Sequence, residues 1–226
     1  MIVNNSSGII TVQPSKEIAA SLLEIGAVKF NLKELFKWTS GIESPIYCDN
    51  RIINSKVAVR DNVVDAFTNL ISIRFSTKPD IIAGVATGGM PYGAIIASRM
   101  NLPFVYVRSE RKAHGLRKAV EGDWKKGDKV VLIEDHISTG ISSIRAVDFL
   151  REEGLELICL LSIMTYRFKE AEDAFKRDNI CFGSICNLDT ILEVALNDGK
   201  LTQPEVDSIL EFREDPKNWG PNKGKF

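Results

Sequence analysis

The sequence predicts an α/β fold built on a mainly parallel, twisted sheet that is flanked by helices. Three observations lead to this prediction. Short apolar runs of strand length recur along the chain. Stretches of helical length and period separate them, as crossover connections between parallel strands do. Strands buried on both faces are expected where helices cover the sheet. The length of 226 residues suits one substantial domain with an extra subdomain.

The elements follow in order along the chain. Residues 16–25 predict a first helix that ends near Gly26. A second, amphipathic helix is indicated by apolar residues at i, i+1, i+4, i+7 and i+8, namely Val63, Val64, Phe67, Leu70 and Ile71. Apolar runs predict five strands: one beginning near Ile81, then 102–107, 129–134, 155–166 and 179–185. A helix over about 140–153 follows the third strand, and two short helices follow Leu188.

Composition excludes several classes of protein. Apolar residues make up 44% and charged residues 26%, and the formal net charge is −1. No global field therefore favours nucleic acid or an anionic membrane as a partner. The four cysteines match no zinc-binding spacing and predict reduced thiols in a cytoplasmic protein. The N-terminus lacks a basic region followed by an apolar core, so we expect no signal peptide. Glycines and a proline interrupt the uncharged stretch 81–98, so we expect no membrane-spanning helix there.

The stretch VVLIEDHISTGISS, residues 130–143, carries the clearest chemistry. In open parallel sheets ligands gather at the carboxyl ends of strands, where Glu134 and Asp135 are predicted to lie. Two adjacent carboxylates can accept hydrogen bonds from two neighbouring hydroxyls, such as those of a ribose. The helix start that follows offers free N–H groups to a phosphate, and hydroxyls are added by Ser138, Thr139, Ser142 and Ser143. The alternative is a simple helix cap.

Two further segments are consistent with a phosphorylated ligand. Thr87, Gly88 and Gly89 lie between a predicted strand and a helix, and glycines let a backbone approach an anion closely. A plain strand-to-helix turn has the same appearance. The stretch 108–118 holds five basic residues and one acid. It predicts a lid over a polyphosphate, and a solvated surface loop is the alternative.

These segments resemble those of a known family. The run VVLIEDHISTG resembles the PRPP-binding signature of type I phosphoribosyltransferases. The stretch FKWTSGIESPIYCDNR, residues 36–51, resembles the orotate-side hood of orotate phosphoribosyltransferases. RSERKAHG resembles the catalytic loop of the same family, with its R-x-x-x-K-x-H-G spacing. The resemblance extends from about residue 16 to 219 and is specific to orotate phosphoribosyltransferases in the hood and the loop.

The resemblance implies a type I phosphoribosyltransferase fold in a single domain over residues 1–226. The hood would comprise about 16–55 plus the C-terminal segment, and the core about 56–187. It implies transfer of ribose 5-phosphate from PRPP to orotate, with Mg²⁺ as cofactor, in a cytoplasmic homodimer with shared active sites. Two rivals are a purine-type phosphoribosyltransferase and a PRPP-sensing, nucleic-acid-binding regulator. The hood disfavours the first, and the near-neutral charge disfavours the second.

The resemblance also implies roles for individual residues. Glu134 and Asp135 match the ribose-hydroxyl acids. Further PRPP contacts are implied for Thr87, Gly88, His136, Ile137, Ser138, Thr139, Gly140, Ile141 and Ser142. The loop residues Arg108, Lys112 and His114 match positions that reach the neighbouring subunit's pyrophosphate, and they are the catalytic candidates together with Asp135. Orotate contacts are implied for Tyr47, Cys48, Ser138 and Arg167. No protein ligand to a metal is implied.

This chain departs from the family pattern at several positions. Some members carry lysines where Thr39, Gly88 and Ser109 stand, and Arg111 is a candidate to offset this loss of charge. His136 stands where a small apolar residue is more usual, and Ile141 replaces a glycine. We expect His136 to face solvent, and a catalytic role is the alternative.

Overall fold

The computed structural model describes residues 15–38, 40–108 and 119–223. Its strands are β1 Val28–Phe30, β2 Phe36–Lys37, β3 Glu43–Ser44, β4 Ile46–Cys48, β5 Ile81–Val85, β6 Phe104–Val107, β7 Val120–Glu121, β8 Lys129–Ile137, β9 Glu156–Thr165 and β10 Phe182–Asn187. Its α-helices are α1 Lys16–Glu24, α2 Val57–Arg74, α3 Met90–Met100, α4 Ile141–Glu152, α5 Lys169–Arg177, α6 Leu188–Asn197 and α7 Gln203–Glu214. Two 3₁₀ helices span Asn50–Ser55 and Gly220–Asn222.

A six-stranded sheet forms the centre, in the order β10-β9-β8-β5-β6-β7. The five longer strands are parallel, which confirms the predicted sheet. The two-residue β7 pairs antiparallel at the edge and was not predicted. From β5 the chain runs outward through β6 and β7, then returns to β8 on the other side of β5. The carboxyl ends of β5 and β8 therefore meet at the switch point of the sheet, where such folds bind ligands.

Helices cover both faces of the sheet, as the continuous apolar strands predicted. Successive residues of β8 alternate between two buried clusters: Val131 and Ile133 belong to one, and Val130 and Leu132 to the other. The first cluster contains the apolar face of α2, and all five residues that predicted this helix are buried. The second contains residues from α4 and α5. The α5 helix was not predicted: its buried residues Ala171, Ala174 and Phe175 stand at helical spacing, but two of the three are small alanines in an otherwise charged nine-residue sequence.

Strand β8 is longer than the sequence indicated. We expected a strand over 129–134, with the two acids at its end, but β8 continues to Ile137. The extension is held by β9, which pairs with β8 as far as Ile137↔Thr165. On the other side, β5 pairs only as far as Gly84↔Ile133. Beyond Ile133 one edge of β8 is consequently free of β5, and the acids lie on this stretch.

The segment before the core forms two small antiparallel sheets, β1–β4 and β2–β3. Trp38 lies beside them and joins a group of aromatic rings that reaches the C-terminal helices. Its ring centroid is 5.9 Å from that of Phe212 on α7. The Phe212 ring in turn has centroid distances of 6.1 Å to Phe168 and 5.4 Å to Trp219. This packing supports a hood built from both ends of the chain, although the division into hood and core stays a prediction.

We predict that Phe212→Ala destabilises the protein by about 3–5 kcal/mol, because it empties a fully buried aromatic site. The free energy of unfolding in urea measures this change. As the matched control, Phe212→Leu keeps an apolar side chain there and is expected to cost about 1.5 kcal/mol or less. Equal losses in both variants would contradict a packing role for the ring.

Candidate active site

A cleft of about 560 Å³ opens at the switch point of the sheet. One wall comes from the hood and the other from the carboxyl ends of β5, β8 and β9. Its lining consists of Lys37, Trp38, Ser40, Tyr47, Cys48, Asp49, Arg51, Val85, Ala86, Thr87, Gly88, Glu134, Asp135, His136, Ser138, Thr139, Ser142 and Tyr166. The structure thus brings together ten of the predicted site residues. A small polar ligand can be surrounded in such a concave site.

Glu134 is turned toward the protein at the base of this cleft. Its side chain is buried, one carboxylate oxygen accepts a hydrogen bond from the backbone N–H of Asp135 at 3.1 Å, and the other accepts from Ser143 Oγ at 3.4 Å. Burial, followed by the neighbouring charge of Asp135, raises the pKa of Glu134 well above its ordinary value. Glu134 therefore holds a proton more tightly than a solvated carboxyl does.

Asp135 is more enclosed than its sequence position suggested. We expected a solvent-facing acid without a protein partner, but Asp135 is 9% exposed and its Oδ2 lies 3.1 Å from His136 Nδ1. Burial acts to raise the pKa of Asp135, but the hydrogen bond and charge of His136 outweigh it, so the pKa is lowered. Asp135 is the ionised member of the acid pair.

The backbone of Asp135 is fixed as well. Its carbonyl lies on the part of β8 that β5 does not pair, and it accepts a hydrogen bond from the buried Asn50 Nδ2 at 2.8 Å. The carbonyl of Asn50 in turn accepts from Tyr92 Oη at 2.6 Å. The hood is thereby joined to the acid-bearing strand through a buried polar contact, which is costly to leave incomplete.

The turn after β5 packs closely against the same strand. A Cβ atom on Gly88 would lie 2.4 Å from Asp135 Cγ, and one on Gly89 would lie 2.2 Å from the carbonyl oxygen of Ile133. Gly89 therefore allows the two backbones to approach closely, and Gly88 leaves room for the Asp135 carboxylate. The peptide bond between Ala86 and Thr87 is cis. Thr87 and Gly88 line the cleft as predicted.

The predicted phosphate loop leads from β8 into α4. Gly140 has a φ of 78°, and no side chain caps the helix that begins at Ile141. The first N–H groups of α4 are thus open to an anion. Ser138, Thr139 and Ser142 line the cleft around them. Three predicted contacts do not line the cleft: Ile137 is buried in the core, Gly140 forms the turn into α4, and Ile141 is 60% exposed.

The hood contributes Tyr47 and Cys48, as predicted, and two cations that sequence reasoning missed. Arg51 donates from Nε to Asp49 Oδ1 at 2.6 Å and from Nη2 to Asp49 Oδ2 at 2.9 Å. Lys37 lines the same wall. The signal was available in the hood stretch, where an acid and an arginine stand two residues apart beside Tyr47.

The remaining predicted residues lie outside the cleft or outside the described ranges. Arg108 forms an ion pair with Glu121 at 3.6 Å. Arg167 does not line the cleft, because its Nη1 donates to Asp189 Oδ2 at 3.0 Å and its Nε lies 3.4 Å from Glu172 Oε1. Lys112 and His114 lie outside the described residues, as do Arg111 and most of the predicted lid.

The chain is similar in sequence and in fold to known proteins. The family model described as "Phosphoribosyl transferase domain" matches residues 54–195. An orotate phosphoribosyltransferase from Cytophaga hutchinsonii is 43% identical over 205 residues, which cover 91% of this chain and 98% of that protein. One from Staphylococcus haemolyticus is 42% identical over 200 residues and covers 88% and 98%. The solved structure of orotate phosphoribosyltransferase from Aeropyrum pernix has a TM-score of 0.68 at 32% identity, covering 78% of this chain and 96% of that chain.

The fold and the acid-bearing cleft define a type I phosphoribosyltransferase. Sequence identity above 40% to orotate phosphoribosyltransferases, over about nine tenths of this chain, then indicates which member of this class it is. The chain belongs to the orotate phosphoribosyltransferase family.

Gly88→Ala tests the close approach of the turn after β5 to Asp135 on β8. The added methyl group would displace the Asp135 carboxylate, which is the end of a side chain that can rotate. We therefore expect PRPP affinity to fall roughly tenfold or more, as for loss of a charge-assisted hydrogen bond. Stability should change little. Calorimetric titration with PRPP and Mg²⁺, beside a urea unfolding curve, measures both quantities. Unchanged PRPP affinity would contradict the role given to this contact.

Proposed function

We propose that this protein transfers the ribose 5-phosphate group of PRPP to orotate, giving orotidine 5′-monophosphate and pyrophosphate, a step of pyrimidine biosynthesis. The observation that carries the proposal is the cleft at the switch point, where Asp135 lies between an uncapped helix start and a glycine turn. The mixture of wild-type protein, Mg²⁺ and PRPP should release pyrophosphate with orotate and not with purine bases. Release with a purine base alone would favour the purine-type alternative.

In this proposal each part of the cleft holds one part of PRPP. Asp135 accepts a hydrogen bond from a ribose hydroxyl, and Glu134 would accept a second one in exchange for its 3.4 Å contact with Ser143 Oγ. The N–H groups at the start of α4, with the hydroxyls of Ser138, Thr139 and Ser142, bind the 5′-phosphate. Thr87 and Gly88 approach the pyrophosphate. Cleavage at the anomeric carbon builds oxocarbenium character, and the ionised carboxylate of Asp135 is placed to stabilise that charge.

Mg²⁺ is the proposed cofactor, and it fits the cleft through the substrate. Within the described ranges, no group of three or more His, Cys, Asp or Glu residues is arranged to hold a metal ion. Mg²⁺ keeps several waters and commonly binds substrate phosphates. It would therefore enter with the pyrophosphate oxygens of PRPP, with no direct ligand assigned to this chain. When bound, it would supply charge neutralisation at the leaving group.

The proposed orotate subsite lies on the hood side, at Tyr47 and Cys48, with Ser138 opposite. Arg167 is proposed to bind the orotate carboxylate after leaving its present partners. The Arg167 side chain is 48% exposed, and its partners Asp189 and Glu172 are 40% and 23% exposed. Exposed pairs of this kind contribute only about 0–1 kcal/mol. A bidentate contact with an enclosed carboxylate can therefore replace them.

The proposal also includes the oligomeric state and the cellular location of the protein. Arg108, Lys112 and His114 are proposed to act on the pyrophosphate of a neighbouring subunit, in a cytoplasmic homodimer that needs no nucleic acid or membrane. The near-neutral net charge supports the absence of a nucleic-acid partner. In the described part of the chain, every helix is too short or too polar to span a bilayer.

We predict that Asp135→Asn lowers kcat/KM for PRPP by roughly 10- to 150-fold, the equivalent of 1.5–3 kcal/mol for one charge-assisted hydrogen bond. The asparagine keeps the shape of the side chain and removes repulsion with Glu134, so the urea midpoint should move little. Pyrophosphate release at varied PRPP measures the first effect. An unchanged kcat/KM would refute the ribose contact.

Shared active sites can be tested by mixing two inactive proteins. A Lys112→Ala protein retains an intact Asp135, and an Asp135→Asn protein retains an intact loop. If the loop acts on the neighbouring subunit, hybrid dimers regain one complete site and activity rises above that of either parent. Mass spectrometry of differently labelled chains verifies subunit exchange. Exchange without any recovery would show that the loop serves its own chain.

A further inference from the structure

The proposed reaction releases a proton that must be accepted near the anomeric carbon. The lone pair of the orotate ring nitrogen forms a bond to that carbon. The anomeric C–O bond breaks, and its electron pair leaves with pyrophosphate. The ring nitrogen gives up its hydrogen as a proton. A side chain beside the reacting atoms that accepts this proton would accelerate the step, provided that its pKa lies near the working pH.

Most ionisable groups of the cleft are poorly suited to this task. Glu134 is turned inward onto Ser143 and the backbone. Asp49 is held by two hydrogen bonds from Arg51, which together with its charge lower the pKa of Asp49. Burial raises the pKa of Cys48 and Tyr166 well above their ordinary values, so both stay protonated at neutral pH. Asp135 has a lowered pKa and is a weak base.

His136 is different in both position and chemistry. Its side chain lines the cleft and is 32% exposed, and its ring forms an edge-to-face contact with that of Tyr166 at a centroid distance of 6.1 Å. The ring therefore does not face solvent as a bystander, in contrast to our expectation from the sequence. Because a carboxylate only accepts hydrogen bonds, Nδ1 carries the hydrogen in the 3.1 Å contact with Asp135 Oδ2. In the neutral ring, Nε2 then has the free lone pair.

The location of His136 matches the place where the proton is released. On one side lies Asp135, proposed to bind the ribose, and on the other lie Tyr166 and the hood wall with Tyr47. We infer that His136 is a catalytic residue whose Nε2 accepts the proton of the orotate ring nitrogen. This inference rests on the proposed function. Asp135 orients the ring and stabilises the imidazolium that forms, as a carboxylate does for other catalytic histidines. The proton then passes to solvent through the open cleft.

Charges around His136 set the pH range of this role. Burial acts to lower the pKa of His136, and the Arg51 guanidinium acts in the same direction. The hydrogen bond and charge of Asp135, with the charge of Asp49, outweigh them, so the pKa is raised from its ordinary 6.5. The accepting form is the neutral ring, which predominates above the raised pKa. Turnover should accordingly rise with pH through that pKa and level off above it.

His136→Asn separates proton transfer from positioning. An asparagine amide can still donate to Asp135 but does not accept a proton near neutral pH. We expect kcat to fall about 100-fold or more, the usual contribution of a general base, and the acidic limb of the kcat–pH profile to disappear. Affinity for PRPP and Mg²⁺ by calorimetry should stay within about threefold, since the ground-state contacts remain. His136→Leu removes the donor as well and should also weaken PRPP binding.

Three outcomes would count against the inference. A His136→Asn enzyme that keeps its kcat and its acidic limb would overturn the proton-acceptor role. If both variants lost PRPP affinity equally and kept the limb, His136 would be a positioning residue for Asp135 instead. A wild-type protein that releases no pyrophosphate with orotate would remove the proposed function itself. The first two results require an active wild type, so a failure of the inference about His136 can be distinguished from a failure of the proposed function.

Discussion

Two adjacent carboxylates are buried where strand β8 extends past its neighbour β5, and the rest of the site depends on how they are accommodated. Burying an ionised carboxylate without partners is costly. The protein treats the two acids differently: Glu134 is enclosed and has a raised pKa, and Asp135 is stabilised by His136 and stays ionised. One negative charge at the floor of the cleft is the result. This charge fits a reaction whose transition state is positive at the sugar carbon.

The early end of β5 has a structural consequence that explains several neighbouring residues. It leaves the backbone of β8 without a partner on one side, and buried backbone carbonyls need hydrogen bonds. Asn50 supplies the bond to the Asp135 carbonyl from the hood. Gly88 and Gly89 fill the space beside the strand, where a side chain would collide with it. The hood and the glycine turn are therefore parts of one arrangement around Asp135.

Much of this arrangement was predictable from local sequence. Apolar runs alternating with helical periodicity predicted the parallel sheet. The paired acids, followed by a polar loop and a helix start, predicted a segment that lines the cleft; its ribose and phosphate contacts stay predictions. The hood motif predicted Tyr47 and Cys48 at the cleft. The errors concern residues whose role depends on distant partners. The end of β8 was misplaced because β9, more than twenty residues later, holds the extension. His136 was expected to face solvent because its contact with Asp135 is not visible in sequence.

The sequence by itself determined the fold class, the family resemblance and the segments that form the site, because periodicity and motif spacing are local properties. The tertiary structure alone decided the electrostatic state of those segments. Burial and neighbouring charge set the pKa values of Glu134, Asp135 and His136, and both depend on which chain segments meet in space. For the same reason only the structure shows that Arg51 faces the cleft while Arg167 rests on Asp189. Side-chain identity fixes which charges exist, and packing fixes which of them reach the substrate.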